Sequence, residues 1–335
     1  MKDRKYLTHR NFVSGKQYDT SCGREGTFPA ESKYAMLEQQ AIRAKITEQK
    51  TILHDMTQEY IKTQTDTALE PDKIVHGDAL KAMHKMPSDS VHMAITSPPY
   101  NVGLKYTQHA DNMTYNEYLD WLETVFRELY RILVDGGRFA LNIAPTGIAD
   151  FTPTHHDVTS RLLDMGFKLR TEILWYKQNI RKRTAWGSWR SPSNPHIMPS
   201  WEYVYVFSKG DMRLKGDPGQ VDITDKEFKL FSDGFWHIQP ETKRNGHPAP
   251  FPEELIYRLI KYYTYRDNVV LDMFGGTGTT ALVSRKTGRQ FIHIDTSKEY
   301  CKVAQTRISS LYVSGKSQTL EKFAKDGLLP EIIQA

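Results

Sequence analysis

The stretch that most restricts the fold lies near the C-terminus: NVVLDMFGGTGTTALVSRKTGRQFIHID, residues 268–295. Its apolar opening reads as a strand, GGTGTT as a turn, ALVSRKTG as a helix and RQFIHID as a second strand that ends in an acid. That order is one unit of a parallel α/β sheet. Gly275, Gly276 and Gly278 allow tight backbone conformations and close approach of a ligand, and the helix behind them offers free N–H groups. Asp295, at the tip of the second strand, is placed to bind ribose hydroxyls. The unit therefore reads as a nucleoside-binding half. No Gly-Lys-Ser/Thr follows, so it is not a P-loop. Gly276-x-Gly278-x-x-Ala281 also fits the dinucleotide fingerprint, which keeps an NAD(P) enzyme as a rival. Against that rival stand the unit's place at the end of the sheet-forming sequence and Asp272, an acid inside the first strand. Asp272 can accept a hydrogen bond from an ammonium group or from the loop's own N–H groups.

Upstream text repeats the strand and helix alternation. KIVHGD reads as a strand ending at Asp78, ALKAMHKM as a helix and VHMAI as a more buried strand. Thr114 to Glu117 is a capping box opening a helix that stops at Asp135-Gly136-Gly137. RFALNIA is the next strand, Asp157 to Met165 a helix, and KLRTEILWYK and WEYVYVFSK two further strands. Residues 211–245 show little periodicity and read as loops with short strands. Pro252 suits the first turn of the helix PEELIYRLIKYYT, and Thr296 to Glu299 forms a second capping box before a last helix. Residues 1–28 look like an extended arm, and 31–63, free of Gly and Pro, read as one or two helices. The expected fold is thus a Rossmann-like, mostly parallel α/β sheet with an irregular insert and an N-terminal helical extension.

A chain of 335 residues is long enough for this domain and a smaller appendage. It shows neither a signal-peptide pattern nor an apolar run of membrane-spanning length, so a cytoplasmic protein with no membrane partner is expected. Cys22 and Cys301 match no zinc, iron–sulfur or redox spacing; no disulfide and no metal site are expected. The net charge of +5 is modest, but its distribution is not. From Ile173 to Trp201 there is no Asp or Glu, while Lys177, Arg181, Lys182, Arg183 and Arg190 lie there with Trp175, Trp186, Trp189 and Trp201. Such a basic, aromatic stretch suits phosphates and bases. Its bland alternative is a solvated loop with structural tryptophans.

VHMAITSPPY, residues 91–100, raises a separate question: why a buried strand should end on Ser97-Pro98-Pro99-Tyr100. Neither proline can donate to a sheet ladder, so the strand stops and its carbonyls are rigidly aimed. Ser97 adds a hydroxyl and Tyr100 a flat ring. Two acceptors and an aromatic face suit a planar amine.

The two motifs together make the chain resemble the S-adenosylmethionine-dependent DNA amino-methyltransferases, in the permuted β arrangement where the catalytic motif precedes the cofactor motif. TSPPY at 96–100 resembles the family's (Ser/Asn/Asp)-Pro-Pro-Tyr motif, and DMFGGTGTT at 272–280 its D-x-F-x-G-x-G-T-T loop. NGHPAPFPEEL at 245–255 looks like the segment that caps the methionine end of the cofactor. The likeness covers roughly Lys73 to Ser309. It implies Ser97, Pro98, Pro99 and Tyr100 as catalytic residues. It implies Asp78, Thr96, His247, Asp272, Phe274, Gly275, Gly276, Thr277, Gly278, Thr279, Thr280 and Asp295 around S-adenosylmethionine. Asp78 has the alternative role of a helix cap, and His247 that of a polar turn residue. Many relatives carry Glu where Asp295 stands.

Double-stranded DNA is the implied partner, contacted by Lys177, Arg181, Lys182, Arg183, Trp186, Trp189 and Arg190. A companion restriction endonuclease fits the family, and the oligomeric state is left open. The implied divisions are an arm and helices over 1–70, a catalytic half over 71–176, target recognition over 177–244, a cofactor half over 245–312 and a tail over 313–335. The motif's serine leans toward cytosine N4 over adenine N6, with methylation of RNA or of a protein glutamine amide as a remoter alternative. A DNA-binding module without catalysis is the rival from another class.

Overall fold

Val91–Thr96, buried along almost its whole length, can only be a central strand. The computed structural model describes residues 69–99, 113–146, 152–177, 187–197, 199–241 and 250–314, so the arm and helices expected over 1–70 lie almost wholly outside the described residues. The eight strands are β1 (Lys73–His76), β2 (Val91–Thr96), β3 (Leu133–Ile143), β4 (Lys168–Tyr176), β5 (Trp201–Ser208), β6 (Phe235–His237), β7 (Val269–Asp272) and β8 (Gln290–Asp295). They form one sheet in the order β1-β8-β7-β2-β3-β5-β4-β6. All run parallel except β5, which is antiparallel to both β3 and β4. The mostly parallel Rossmann-like sheet expected from the sequence is therefore present.

Side chains alternate across β2 from Met93 to Ile95, after an irregularity between Val91 and Met93. Val91 and Ala94 join the core under helices α1 (Ala79–His84), α2 (Tyr115–Ile132) and α3 (Thr154–Asp164). Met93 and Ile95 join the opposite core, under α4 (Asp225–Phe231) and α5 (Glu253–Tyr263), with Val283 of α6 (Thr279–Lys286). The last helix, α7 (Lys298–Ser314), seals a small cluster of Ala281, Phe291 and Ile308. In α2 the apolar stripe Leu122, Phe126 and Leu129 is at most 1% exposed. Each such side chain contributes about 1.5–3 kcal/mol on burial.

The capping box at Thr114 is present: Glu117 N–H donates to Thr114 Oγ1 at 3.4 Å and Thr114 N–H to Glu117 Oε2 at 2.8 Å. The second box, expected at Thr296, is moved by one residue. Asp295 Oδ1 accepts the Ser297 N–H at 2.7 Å, and Ser297 Oγ accepts the Tyr300 N–H at 3.3 Å, so Ser297 is the cap. Asp135-Gly136-Gly137 does not separate helix from strand. β3 begins directly after α2 and runs through it, and a register shift opposite Val91/Met93 takes up the extra residues. Gly136 has φ +75°, and a Cβ there would strike the Arg213 carbonyl. The helix expected from Asp157 begins earlier, at Thr154.

The stretch 211–245, read as loops with short strands, contains the short strand β6 as expected and also the helix α4. α4 opens on its own capping box, Thr224 with Glu227, and is held by tertiary contact, since the Tyr257 hydroxyl donates to the buried Glu227 at 2.5 Å. A helix of seven residues leaves too short a periodic signal to read. Two strands of the sheet, β5 and β6, thus arise from within 177–244. The β4 to β5 connection leaves β4 at the edge where the parallel strands end; of it the structure describes 177, 187–197, 199 and 200.

Candidate functional site

The C-terminal tips of β1, β8, β7 and β2 stand next to one another, and each delivers one element of the predicted site. β1 is followed by Asp78, β8 ends in Asp295, β7 ends in Asp272, and β2 ends in Thr96 before Ser97-Pro98-Pro99. Ligands of open α/β sheets bind at this edge, where connections diverge to opposite faces. Here β2 leads through α2 to β3 on one side, and β7 leads through α6 to β8 on the other.

Asp272 organises the centre. It is 2% exposed, and both oxygens are engaged within the protein. Oδ1 accepts the Thr96 hydroxyl at 2.8 Å and the Phe274 N–H at 3.2 Å; Oδ2 accepts the Thr280 hydroxyl at 2.7 Å. Of the two roles the sequence left open for this acid, the described contacts are with the loop and its neighbours. Burial pushes its carboxyl up to about 6, against the pull of Thr280, Thr96 and the Phe274 amide. Thr96, expected at the ligand, is fully buried and turns its hydroxyl onto Asp272. It ties the Ser97-Pro98-Pro99 end of β2 to the glycine loop.

Asp295 is half-buried and holds the loop from the other side. Its Oδ2 accepts the Gly276 N–H at 2.8 Å and its Oδ1 the Ser297 N–H. Burial raises its carboxyl, partly offset by those two amides and by His76. Asp78 is exposed and caps α1, accepting the Lys81 N–H at 3.0 Å. The tip of β1 brings it beside Asp295, since His76 is in register with Asp295 and the Gly77 N–H donates to the Asp295 carbonyl at 2.9 Å.

The three loop glycines answer to different constraints. A Cβ on Gly275 would run into the His293 ring, Gly276 has φ +52°, and Gly278 has φ +81° with Ala304 of α7 behind it. His293, wholly buried on β8 below the loop, has no hydrogen-bond partner on either ring nitrogen among the described residues, and burial pushes its pKa down to about 4. Sequence reading missed it, because a histidine inside an apolar strand carries no signal of what lies above it. Thr277, Thr279 and Thr280 are buried, and Phe274, half-buried, packs against Trp121 of α2 with ring centroids 5.6 Å apart.

Of the predicted catalytic residues, Ser97, Pro98 and Pro99 follow β2 at this edge, while Tyr100 lies outside the described residues, as do His247, Arg181, Lys182, Arg183 and Trp186. Lys177 is paired with Glu202, and its Nζ sits 4.3 Å from the Trp175 ring centroid, so its charge is already matched. Residues 187–195 close a turn. Gly187 bridges Pro195, and the Ser188 N–H donates to the Asn194 carbonyl at 2.8 Å. Trp189, 67% exposed, and the exposed Arg190 are carried at its tip.

Sheet order, glycine loop and strand-tip acids define a class I methyltransferase fold. The family follows from comparison with known proteins: the family N6_N4_Mtase, DNA methylase, matches residues 91–306, and the chain belongs to it. The Type II methyltransferase M.MjaVI of Methanocaldococcus jannaschii is 39% identical over 160 residues, 48% of this chain and 82% of that protein. TTHA0409 of Thermus thermophilus, solved in complex with S-adenosyl-L-methionine, is 27% identical, with a TM-score of 0.58 over 71% of this chain and 93% of that one. The PvuII DNA methyltransferase (cytosine-N4-specific), at 22% identity, shares the fold with a TM-score of 0.57 over 74% of this chain and 93% of that one. No described helix is long and apolar enough to cross a membrane.

Proposed function

We propose that this DNA methylase transfers a methyl group from S-adenosyl-L-methionine to the exocyclic amine of a base flipped out of double-stranded DNA, and that the base is cytosine, modified at N4. The observation that carries the reading is the bridge Thr96–Asp272–Thr280, which joins the end of the Ser97-Pro98-Pro99 strand to the glycine loop through one buried carboxylate.

The residues present fit the cofactor. Among the described residues no side chain caps α6, so the N–H groups of its first turn suit a ligand's oxygen atoms. Each Asp295 oxygen accepts one amide and keeps capacity for a ribose hydroxyl. Asp272 is sealed from solvent and serves the loop's shape. When bound, the cofactor supplies a methyl group already activated on sulfonium sulfur. The protein's share is then positioning and acceptor placement. The Ser97 hydroxyl and the Pro98 carbonyl accept the two amine hydrogens, directing the nitrogen lone pair at the methyl group, and Tyr100 stacks on the base. The amine lies inside the duplex stack, so the base must leave it. The turn 187–195, with Trp189 and Arg190 at its tip, meets the DNA.

Mass spectrometry of nucleosides digested from the DNA of cells expressing the protein tests the reading. N4-methylcytosine is expected. N6-methyladenine would overturn the choice of base and keep the amine chemistry, whereas 5-methylcytosine would overturn both.

A further inference from the structure

The glycine loop is braced from behind by α7, and one side chain makes most of the brace. Arg307 Nη1 donates to the Thr277 carbonyl at 2.8 Å and to Thr279 Oγ1 at 3.1 Å. Its Nη2 lies 3.4 Å from Glu253 Oε1, and the other Glu253 oxygen is 2.5 Å from Lys286 Nζ on α6. Arg307, Glu253 and Lys286 are all at most 21% exposed. One helical turn earlier, Ala304 is fully buried against the loop, so close that a Cβ on Gly278 would meet the Ala304 Cβ at 2.5 Å. Loop, α5, α6 and α7 therefore meet at a single guanidinium.

A cation beside the N-terminal end of α6 stands at the wrong pole of the helix dipole. Its position is sustained by the Thr277 carbonyl and the Glu253 carboxylate, and this gives the arrangement direction. The carbonyl belongs to the loop's middle residue, and Thr279 is the first residue of α6. Glu253 is the first residue of α5, which directly follows the segment 245–252. A planar guanidinium can hold these three acceptors at once, whereas an ammonium, a point charge on a flexible stem, cannot span them.

We propose that Arg307 is a positioning residue for the methyl donor: it fixes the Thr277–Thr279 part of the loop and locks it to the start of α5, so that the loop is already in its cofactor-binding shape before the cofactor arrives. This rests on the reading of the loop as the S-adenosyl-L-methionine site. It assigns Arg307 no contact with cofactor or DNA.

The test is calorimetric titration of S-adenosyl-L-methionine into the full chain without DNA, for wild type, Arg307→Ala, Arg307→Lys and Glu253→Gln. It is paired with hydrogen exchange of residues 273–280 in the cofactor-free protein. Loss of two hydrogen bonds from a charged donor should raise Kd about tenfold in Arg307→Ala and also in Arg307→Lys. Loop amides should exchange faster in both, while turnover at saturating cofactor stays within about twofold of wild type, because ground-state organisation and not the chemical step is lost. Glu253→Gln, which spares both loop contacts and weakens only the tie to α5, should raise Kd less than either Arg307 variant does; a rise equal to theirs would assign the effect to Glu253 and overturn the role given to the loop contacts. A wild-type Kd in both Arg307 variants, with or without a lowered Tm, would overturn the assignment; if Arg307→Ala does not fold, Arg307→Lys decides alone. Failure of the wild-type protein to bind would instead remove the cofactor reading itself, and this inference with it.

Discussion

Replacing Asp272 by Asn should make stability depend on pH in a way that can be worked out from the site. In the cofactor-free protein the carboxyl is buried and its pKa rises from the ordinary 3.8 to about 6. Between those values the unfolded chain has released its proton and the folded chain keeps it, so folding takes up a proton and wild-type stability falls as pH rises through this window. At about 1.4 kcal/mol per pH unit the fall amounts to ~3 kcal/mol. An amide has no charge to desolvate, and its oxygen still accepts the Thr96 hydroxyl. His293 tilts the curve the other way. It is neutral when folded, with its pKa lowered from 6.5 to about 4, and so favours folding above 6.5 and loses that contribution as pH falls toward 4. That slope is common to both proteins and cancels in their difference. Urea unfolding at pH 4, 5, 6, 7 and 8 supplies the curve of Asp272→Asn minus wild type. It should climb by ~3 kcal/mol, nearly all of it below pH 7. A difference flat to within ~1 kcal/mol, or one that declines, would show that Asp272 carries no burial penalty and refute the account of the site's centre.

Three further outcomes follow from the geometry. Ser97→Ala and Tyr100→Ala should abolish methyl transfer with cofactor affinity unchanged, and Tyr100→Phe should keep much of the activity; filter assays with labelled methyl donor, run beside binding titrations, check all three. Arg190→Ala should weaken binding to every DNA sequence alike and lower the slope of log K against log salt by about 0.9, measured by fluorescence anisotropy across a salt series. Gly278→Ala should cost about 2–4 kcal/mol, part from its left-handed backbone and part from Ala304. The double variant Gly278→Ala/Ala304→Gly should recover the packing part, read from Tm.

What the sequence disclosed and what it withheld divide along physical lines. Strand, turn, helix and strand from 268 to 295 were legible because local periodicity and glycine chemistry write them, and the proline pair marked the end of β2 because a missing N–H must end a ladder. The partners of Asp272 were not legible. Thr96 is 176 residues away, and nothing in its neighbourhood says that its hydroxyl turns inward. α4 went unread, because seven residues are too few for a periodicity to stand out and its hold on Tyr257 is a tertiary contact. Thr296 was read as a cap from its residue type, while the Asp295 carboxylate, invisible as a competitor in one dimension, fixed Ser297 instead. Arg307 looked like any basic residue on a helix, because its acceptors are a loop carbonyl and an acid in another element.

The bond between Thr96 and Asp272 also bears on how the molecule reaches its native state. Its two ends lie on strands that touch through only two registered pairs, Met93 with Val270 and Ala94 with Leu271. The chain between them is the loop that this seam closes. Closing so long a loop is costly in entropy and contributes to slow folding. A ribosome finishes β2 long before β7 emerges, so the nascent chain holds β2 and its proline pair without their counterpart. A chain in which that seam has not closed lacks the one described side-chain contact that ties the end of β2 to Asp272 and, through it, to the glycine loop.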